Sequence, residues 1–279
     1  MVVGGTNPDA RQDVEVINLK DPGSNCIKPA NCPLDRFSVG TFMDGKAYVC
    51  QDYDEKKCYF YQNSTNEWIQ TFSTIWFRKL AAGIRLTDDE FWILAGQHYS
   101  TYLDTSEICS ASSGSCEEFV DLPENDSIYP KAARVNASHI FVKPNQFKKS
   151  WLFNQNDETF HQLPDMAESR AGPFVGSVNG KEIVVGRDSV EIYDLTTNEW
   201  RSGPRPPIDE GNNLSTAVSV QYKDSFILVG GKLNDYDYNQ DIFQFNAQTH
   251  QWQILEQKLQ RERYYFTAFL VPEDYITCS

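Results

Sequence analysis

Short segments of alternating apolar and polar residues, separated by polar turns, run along this chain. The clearest example is Arg170 to Trp200, RAGPFVGSVNGKEIVVGRDSVEIYDLTTNEW. Asn179-Gly180 lies between two alternating runs, and this dipeptide is a strong hairpin signal because both central residues of the turn adopt positive φ. A further alternating segment ends at Tyr193, and Trp200 opens a last strand after a polar turn. The pattern predicts a four-stranded antiparallel meander.

Pairs of large aromatic residues seven positions apart recur on either side of a polar turn. The pairs are Tyr61 and Trp68, Phe153 and Phe160, Tyr193 and Trp200, and Phe245 and Trp252. Opposite residues of a hairpin can pack large rings on one face of a sheet, which would bury each sheet against a neighbour. Cys109 and Cys116 take the same two positions in another copy, so we expect a covalent link to replace the ring contact there.

The last residue of each pair marks a repeat. The intervals between Trp68, Cys116, Phe160, Trp200 and Trp252 are 48, 44, 40 and 52 residues. Units of four short strands at a period of roughly 40–50 residues are the signature of a β-propeller.

A glycine pair at the end of the second strand completes the pattern. Two units carry the full pair, as Gly4-Gly5 and Gly230-Gly231. Two units carry one glycine of the pair, in Ala95-Gly96 and Gly186-Arg187. The remaining two units have no glycine at this place, which holds Cys50-Gln51 and Val142-Lys143. Paired Gly, then Tyr, then Trp is the pattern of kelch repeats, and the chain resembles a kelch-type β-propeller over essentially its whole length. The resemblance implies an all-β fold with six blades of four antiparallel strands.

The two ends of the chain are expected to share one blade. Met1 to Gly5 has the pattern of a second strand, and Tyr264 to Val271 has that of a first strand. Kelch-type rings commonly close with a strand from the other terminus, which removes the open edge. We therefore predict a single propeller domain over 1–279. Its expected blades are 1–33 with 264–271, 36–73, 78–123, 129–165, 169–207 and 213–260.

The last five residues do not fit this scheme. Tyr275 to Ser279 resembles another second strand and would compete with Met1 to Gly5 for one place. Either the tail is a spare strand or the chain is a piece of a longer protein, and the missing leader favours the second interpretation.

Charge and hydropathy narrow the possible partners. There are 39 Asp and Glu residues against 25 Lys and Arg, a formal net charge of −14. This excess disfavours binding to nucleic acid or to an anionic membrane surface, because both need clustered cations. No apolar run approaches ~18 residues, so the sequence predicts no membrane-spanning helix.

The cysteines fall in close pairs. Cys26 pairs with Cys32, Cys50 with Cys58 and Cys109 with Cys116, and this scheme leaves Cys278 alone. The second and third pairs would each join neighbouring strands of a hairpin, so we predict three local disulfides. The spacings do not match the CxxC pattern of zinc sites. The alternative is a set of ordinary buried thiols in a cytosolic protein.

Four N-glycosylation sequons support an exported protein. They begin at Asn63, Asn125, Asn136 and Asn213, and all four lie in predicted turns or loops where a glycan could be tolerated. Together with the paired cysteines they predict an extracellular or luminal location, with a cytoplasmic location as the alternative.

Local catalytic motifs are not found. His98, His139, His161 and His250 are scattered, and no GxSxG elbow, P-loop or dinucleotide fingerprint occurs. We therefore expect no catalytic residue, no cofactor and no metal. The kelch-type fold also hosts copper radical oxidases and a sialic-acid isomerase, whose sites are assembled from several blades, so an enzyme of either type is kept as an alternative.

One acidic segment resembles the opening of a calcium loop. In NDYDYNQD, oxygen-bearing residues alternate at Asp235, Asp237, Asn239 and Asp241. Gln240 stands where the sharp turn of such a loop needs Gly, and Asn246 stands where it needs Glu. We therefore predict a solvated loop.

The resemblance also implies a partner-binding face. In kelch propellers the loops between second and third strands emerge on the same side as the connections between blades. Tyr99, Tyr102, Tyr236 and Tyr238 lie in two of the longest such loops, and tyrosine anchors interfaces at low entropic cost.

A cation recurs where each predicted blade begins. These residues are Arg36, Arg78, Lys131, Arg170 and Arg263. On an acidic protein, a ring of cations around one mouth would favour an acidic peptide or an anionic glycan. The competing interpretation is structural, since kelch repeats often use such an arginine to brace a neighbouring blade.

These observations predict a non-catalytic, extracellular module that binds a protein or an anionic glycan. The first alternative is the propeller of an intracellular BTB-kelch ubiquitin-ligase adaptor or an actin-binding protein. The second is an enzyme of the galactose-oxidase or sialate-isomerase type.

Overall fold

The strands of this chain form six small antiparallel sheets that are arranged as the blades of a propeller. The computed structural model describes residues 1–6, 11–51, 55–123, 129–144 and 147–279, and these contain strands but no helix. Five sheets have four strands each, and the sixth has three. The predicted six-bladed, all-β fold is confirmed.

The blades are numbered in chain order. Blade 1 contains β1 (Val2–Val3), β2 (Val14–Glu15) and β25 (Thr267–Ala268). Blade 2 contains β3 (Val39–Met43), β4 (Lys46–Cys50), β5 (Lys57–Gln62) and β6 (Glu67–Ser73). Blade 3 contains β7 (Ala82–Arg85), β8 (Glu90–Leu94), β11 (Ser106–Ser110) and β12 (Ser115–Glu118). A small separate hairpin, formed by β9 (Gln97–His98) and β10 (Thr101–Tyr102), is inserted between β8 and β11.

The second half of the ring is more regular. Blade 4 contains β13 (Lys131–Arg134), β14 (His139–Lys143), β15 (Trp151–Asn154) and β16 (Thr159–Gln162). Blade 5 contains β17 (Phe174–Val178), β18 (Glu182–Gly186), β19 (Val190–Asp194) and β20 (Glu199–Gly203). Blade 6 contains β21 (Val218–Tyr222), β22 (Ser225–Val229), β23 (Asp241–Phe245) and β24 (Trp252–Lys258).

The apolar core is divided among the interfaces between blades. The described chain has six buried clusters, and each combines residues of two neighbouring blades. Phe174 of blade 5 packs with Phe226 and Phe243 of blade 6, for example. Each sheet therefore buries its faces only because another sheet stands on either side.

The aromatic pairs contribute to these interfaces as the sequence predicts. Each pair lies directly opposite in the third hairpin of its blade, with ring centroids between 4.9 and 5.4 Å apart. Such contacts contribute about 0.5–1.5 kcal/mol each beyond their buried area. Cys109 and Cys116 stand opposite in the same register and form the expected disulfide.

The indole groups of the pairs also connect one blade to the previous one. Trp68 donates its Nε1–H to the carbonyl of Ala30, Trp200 to that of Pro164 and Trp252 to that of Pro204, at 2.7–2.9 Å. A tryptophan at this position thus packs within its own blade and bonds to the end of the preceding one.

The ring closes in blade 1, as predicted. Val2 lies opposite Ala268 and Val3 opposite Thr267, so β25 takes the place beside β1 that a first strand takes in the other blades. The backbone N–H of Phe269 donates to the carbonyl of Met1 at 3.0 Å and extends this pairing.

The five C-terminal residues do not compete with β1. The backbone of Asn25 and Ser279 forms two mutual hydrogen bonds, 2.7 and 3.0 Å long, and Ile27 donates to Thr277. Tyr275 Oη donates to the carbonyl of Tyr61 at 2.7 Å, which ties the tail to blade 2. The tail therefore occupies a place of its own against blades 1 and 2.

This placement corrects one predicted disulfide. Cys26 is bonded to Cys278, whereas Cys32 is a buried thiol outside the three disulfides. Cys26 and Cys278 are opposite residues where the tail pairs with blade 1, and this bridge brings their Cα atoms to 3.8 Å. The local pair Cys50–Cys58 is confirmed and links β4 to β5.

The arginines at the starts of three blades are internal. Arg78, Arg170 and Arg263 are almost wholly buried, and each pairs with a glutamate on the third strand of its own blade: Glu107, Glu191 and Glu15. The nitrogen–oxygen distances are 3.0, 2.7 and 2.8 Å. Burial raises the pKa of Glu107 and lowers that of Arg78, and their mutual attraction opposes both shifts.

Each of these glutamates also accepts a backbone hydrogen bond from the residue three positions before its arginine. Ile75 donates to Glu107 and Ala167 donates to Glu191. Arg78 in addition donates to the carbonyls of Ala95 and Thr105. One arginine thus fixes the entry of its blade to the end of the second strand and the start of the third.

Non-reducing digestion and mass spectrometry of the folded protein should yield a peptide pair linked through Cys26 and Cys278. The substitutions C26S and C278S, alone or together, should lower the free energy of unfolding equally, because each removes the same link across 252 residues. In the chain-entropy model such a loop stabilises the fold by up to about 5 kcal/mol. Recovery of a Cys26–Cys32 peptide would contradict this assignment.

Arg78→Met should lower the free energy of unfolding by about 3–5 kcal/mol in urea denaturation, because it leaves Glu107 buried without its ion-pair partner. The matched control is Lys57→Met, whose pair with Glu55 is exposed and should contribute little to the free energy of unfolding. The double variant R78M/E107Q should regain part of the loss. Equal effects of R78M and K57M would show that the buried pair does not stabilise the blade.

Candidate binding face

One face of the ring carries both the turns that enter each blade and the loops between second and third strands. In blade 3, Lys79 and Gln97 exchange two backbone hydrogen bonds, 2.8 and 2.9 Å long. In blade 6, Ser215 and Lys232 do the same. These bonds hold the two kinds of segment side by side, and we call this side of the ring the entry face.

Every blade enters its first strand through a residue with left-handed backbone geometry, two positions before the strand. The φ angles lie between 52° and 62° in Phe37, Leu80, Tyr129, Gly172, Thr216 and Tyr265. Only glycine adopts this geometry at no steric cost. Five of the six blades have a residue other than glycine here, and strain that recurs so regularly indicates a turn that the surrounding structure imposes.

These six turns converge on the central channel and form its mouth. They line a cavity of about 50 Å³. Tyr129 and Tyr265 face each other there with their hydroxyl oxygens 3.0 Å apart, and the ring of Phe37 lies 4.7 Å from that of Tyr265. Burial raises the pKa of Tyr265, so its hydroxyl group keeps its proton at neutral pH.

Beyond the mouth the channel widens to a cavity of about 530 Å³ between the first strands of the blades. Its charged lining residues are Arg85 and Arg134, and its described lining includes neither a histidine nor a carboxylate. Arg134 donates to the carbonyl of Leu86 at 2.9 Å and to Gln155 Oε1 at 2.6 Å. The lining of the channel therefore carries two cations, of which Arg85 pairs with the exposed Asp88 at 3.2 Å.

Most of the predicted ring of cations is not available to a partner. Arg78, Arg170 and Arg263 are buried in their blades, so the prediction that they bind a ligand is wrong. Their role is structural, as the competing interpretation holds, but each arginine braces its own blade and not a neighbouring one. Arg36 is partly buried, with its guanidinium 5.5 Å from the ring centre of Phe37. Lys131 lines the mouth of the channel.

The predicted tyrosines of blade 3 lie on the exposed hairpin formed by β9 and β10. Tyr99 is 70% exposed, and its ring contacts those of Phe77 and His98 at centroid distances of 4.8 and 4.6 Å. Tyr102 and the nearby Trp76 are also exposed. His98 Nδ1 lies 3.0 Å from the carbonyl of Phe77, which orients the imidazole under the exposed rings. We call this cluster the blade 3 patch.

The predicted tyrosines of blade 6 have different environments. Tyr236 is 88% exposed at the tip of its loop. Tyr238 is partly buried and stacks on Tyr264, with ring centroids 4.9 Å apart and planes within 7°. Lys232 Nζ lies 5.6 Å from the ring centre of Tyr264. We call these residues the blade 6 patch.

The structure does not bring the two patches together. Blades 3 and 6 are three positions apart in a six-membered ring, so their patches lie on opposite sides of the channel mouth. Tyr264 contacts Tyr265, which connects the blade 6 patch to the aromatic residues of the mouth. A partner that contacts both patches would therefore cover the mouth.

Several aromatic residues of this face are absent from the sequence-based prediction. Trp76, Phe77, Tyr264 and Tyr265 belong to it although they precede strands instead of lying in long loops. A signal was present, because two adjacent aromatic residues stand shortly before the first strand of blade 3 and of blade 1.

A metal centre is not supported by the described residues. Their one cluster of possible ligands is Glu107, Cys109 and Cys116. Both sulfur atoms are committed to a disulfide and the carboxylate to Arg78.

The segment that resembles a calcium loop is a turn held by its own amides. Asn234 Oδ1 accepts the backbone N–H groups of Tyr236 and Asp237. The side chain of Asn239 is buried and donates to the carbonyls of Gly230 and Asp241. Of the four side chains that would face an ion, Asn239 is thus engaged in holding the loop, and Asp237 accepts a hydrogen bond from the Asn234 amide.

Three of the four sequons lie in described segments. Asn63 is exposed in the turn between β5 and β6, and Asn136 and Asn213 are partly buried in turns. Asn125 lies outside the described residues. The described part of the chain contains no helix with the length and apolar character of a membrane span.

Comparison with known proteins gives one curated relative and one informative fold match. An F-box/kelch-repeat protein of Arabidopsis thaliana is 28% identical over 101 residues, which cover 34% of this chain and 27% of that protein. The match thus spans about a quarter of the relative's length. No protein-family model matches the chain.

The solved structure of YjhT has a similar fold. The TM-score is 0.67 at 13% sequence identity, and the superposition covers 88% of this chain and 97% of YjhT. At this identity the likeness concerns the fold alone. The chain is therefore similar to a kelch-repeat protein over about a third of its length, and it folds as a six-bladed β-propeller.

Proposed function

We propose that the chain is a non-catalytic, extracellular binding module that captures a protein or an anionic glycan on its entry face. The observation that carries this proposal is the pair of exposed tyrosines, Tyr99 and Tyr236, on opposite sides of a rigid mouth. Large exposed aromatic groups on a fixed scaffold are typical anchors of interfaces, because few side-chain rotations are lost on binding.

The scaffold beneath the tyrosines supports the same proposal. Backbone bonds between blade entries and adjacent loops hold the entry face in place before any partner arrives. A preorganised surface binds with a smaller entropic cost than a mobile one. The partly exposed cations Arg36 and Lys232 lie beside aromatic rings of this face and would favour anionic groups on the partner.

The proposed location rests on the disulfides and the sequons. Three disulfides are compatible with an oxidising compartment and uncommon in the cytosol. Asn63 is exposed in a turn, and its Nδ2, the atom that would carry a glycan, donates one hydrogen bond to the carbonyl of Tyr275.

The alternative of an intracellular adaptor keeps one specific observation in its favour. The Arabidopsis relative is named as an F-box/kelch-repeat protein. The entry face would serve such an adaptor equally well, so the two proposals differ in compartment and not in the binding surface. An oxidase or isomerase site has less support, since the described lining of the channel lacks histidine and carboxylate groups.

Selection against the immobilised wild-type chain, from a displayed random-peptide library and a glycan array, should yield ligands that depend on the entry face. The variants Y99A/Y102A and Y236A should bind these ligands about tenfold more weakly or worse, a loss of at least about 1.4 kcal/mol. The matched control is I69A/I254A, which removes two exposed apolar side chains from outer strands. Calorimetry or biolayer interferometry measures the affinities.

Two results would contradict the proposal. One is a set of ligands that bind wild type and both tyrosine variants with equal affinity. The other is the failure of either library to yield a ligand that prefers the folded chain over the reduced, unfolded chain.

Expression in eukaryotic cells behind an added signal peptide tests the compartment. Intact mass after denaturation and alkylation without reductant should show one modified cysteine, Cys32, because the other six form disulfides. Glycosidase treatment should lower the mass. Seven alkylated cysteines and no glycan would instead favour the intracellular adaptor.

A further inference from the structure

Lys131 breaks the pattern of the residues that begin the first strand of each blade. The equivalent residues of the other five blades, each two positions after the left-handed turn residue, are uncharged: Val39, Ala82, Phe174, Val218 and Thr267. Lys131 thus introduces a single ammonium group into this layer of the channel, where it lines the small cavity at the mouth.

Two hydroxyl groups that line the same cavity lack partners in the described structure. Ser38 is 6% exposed, and its Oγ is buried without a hydrogen bond. Thr216 Oγ1 is buried and unbonded as well. Buried hydroxyl groups almost always have a partner, so two orphans in one cavity indicate that something else satisfies them.

The ammonium group of Lys131, a partly buried residue, lines the same cavity. No hydrogen bond or ion pair joins it to another described residue, whereas the nearby Lys143 donates to the carbonyls of Pro144 and Phe147. Burial lowers the pKa of Lys131 to about 8, so the group still carries its positive charge at neutral pH. A partly buried cation is stabilised by a counter-charge or by water.

The residues around the cavity supply donors and no negative charge. Tyr129 and Tyr265 share one hydrogen bond between their hydroxyl groups, which leaves one hydroxyl proton available. No carboxylate lines the mouth, and the charged groups lining the adjacent cavity are Arg85 and Arg134. Convergent donors at the end of a channel lined by cations form the environment that an anion requires.

We propose that the mouth of the channel binds one small anion, of halide or single-carboxylate size, held by Lys131 with Ser38 and Thr216. The cavity volume of about 50 Å³ sets this size, since it admits a small ion with a few water molecules and excludes a bulky organic anion. The bound anion neutralises Lys131 and joins the first strands of blades 2, 4 and 6 across the axis. This proposal does not depend on the ligand of the entry face.

Crystals of the wild-type chain grown without halide and soaked in sodium bromide test the site directly. Data recorded at the bromine absorption edge should show an anomalous peak within hydrogen-bond reach of Lys131 Nζ, Ser38 Oγ and Thr216 Oγ1. Water at this position without an anomalous peak would overturn the proposal. A peak confined to exposed lysines would do the same.

Thermal unfolding gives the corresponding measurement in solution. Sodium gluconate is replaced by sodium bromide or sodium formate at constant ionic strength, because gluconate is too large for the cavity. The melting temperature of the wild type should rise with the small anion and saturate, as expected for a ligand that binds only the folded state. The two salts distinguish a halide site from a carboxylate site.

Variants then assign the effect to these residues. Lys131→Met should fold, since the other five blades carry uncharged residues at this position, and it should show no saturable response to bromide or formate. Ser38→Ala should weaken the apparent affinity severalfold, and the exposed control Lys57→Met should respond like wild type. An unchanged response in both K131M and S38A would place the anion elsewhere and refute the assignment.

Discussion

In the described part of the chain, no blade of this propeller has a core of its own. The buried apolar residues form six clusters, and every cluster is shared by two neighbouring blades. A blade therefore becomes stable only between two others, and an open ring would leave one complete interface exposed to water. This constraint explains why both ends of the chain contribute to blade 1, and why β25 pairs with β1.

The same constraint gives the entry face its rigidity. Because all six blades must converge on one axis, all six enter their first strands through the same left-handed turn, even where the residue is Phe37 or Tyr265 instead of glycine. The buried Arg–Glu pairs then hold the entries to the second and third strands. The loops above this layer can differ in length and composition without disturbing the core, which is why the two exposed aromatic patches differ between blades 3 and 6.

The sequence predicts the parts of this structure that depend on local pairing. The seven-residue aromatic spacing, the Asn-Gly turn and the two hairpin disulfides are all set within one or two strands, and they appear as expected. The closing strand is also predictable. Each end of the chain has a strand pattern without a local partner, so the two ends have few strands to pair with except each other.

The sequence is less informative where contacts are long-range. The spacing of Cys26 and Cys32 favours a local bond, and only the path of the tail brings Cys278 to Cys26. A cation at the start of a blade has the same appearance in the sequence whether it is exposed or buried. The sequence did contain one sign that these arginines are buried. A glutamate, such as Glu107 or Glu191, is the second residue of the third strand in each blade with a buried arginine, and it interrupts an apolar strand.

Hydrogen–deuterium exchange of the native chain tests ring closure most directly. If both termini share blade 1, peptides that cover residues 1–6 and 264–271 should exchange slowly, like the peptide that covers strand Phe174–Val178, because their amides open only when the ring opens. Exchange of the terminal peptides as fast as that of the exposed segment 208–212 would mean that the ring is open, and would contradict closure through a shared blade 1.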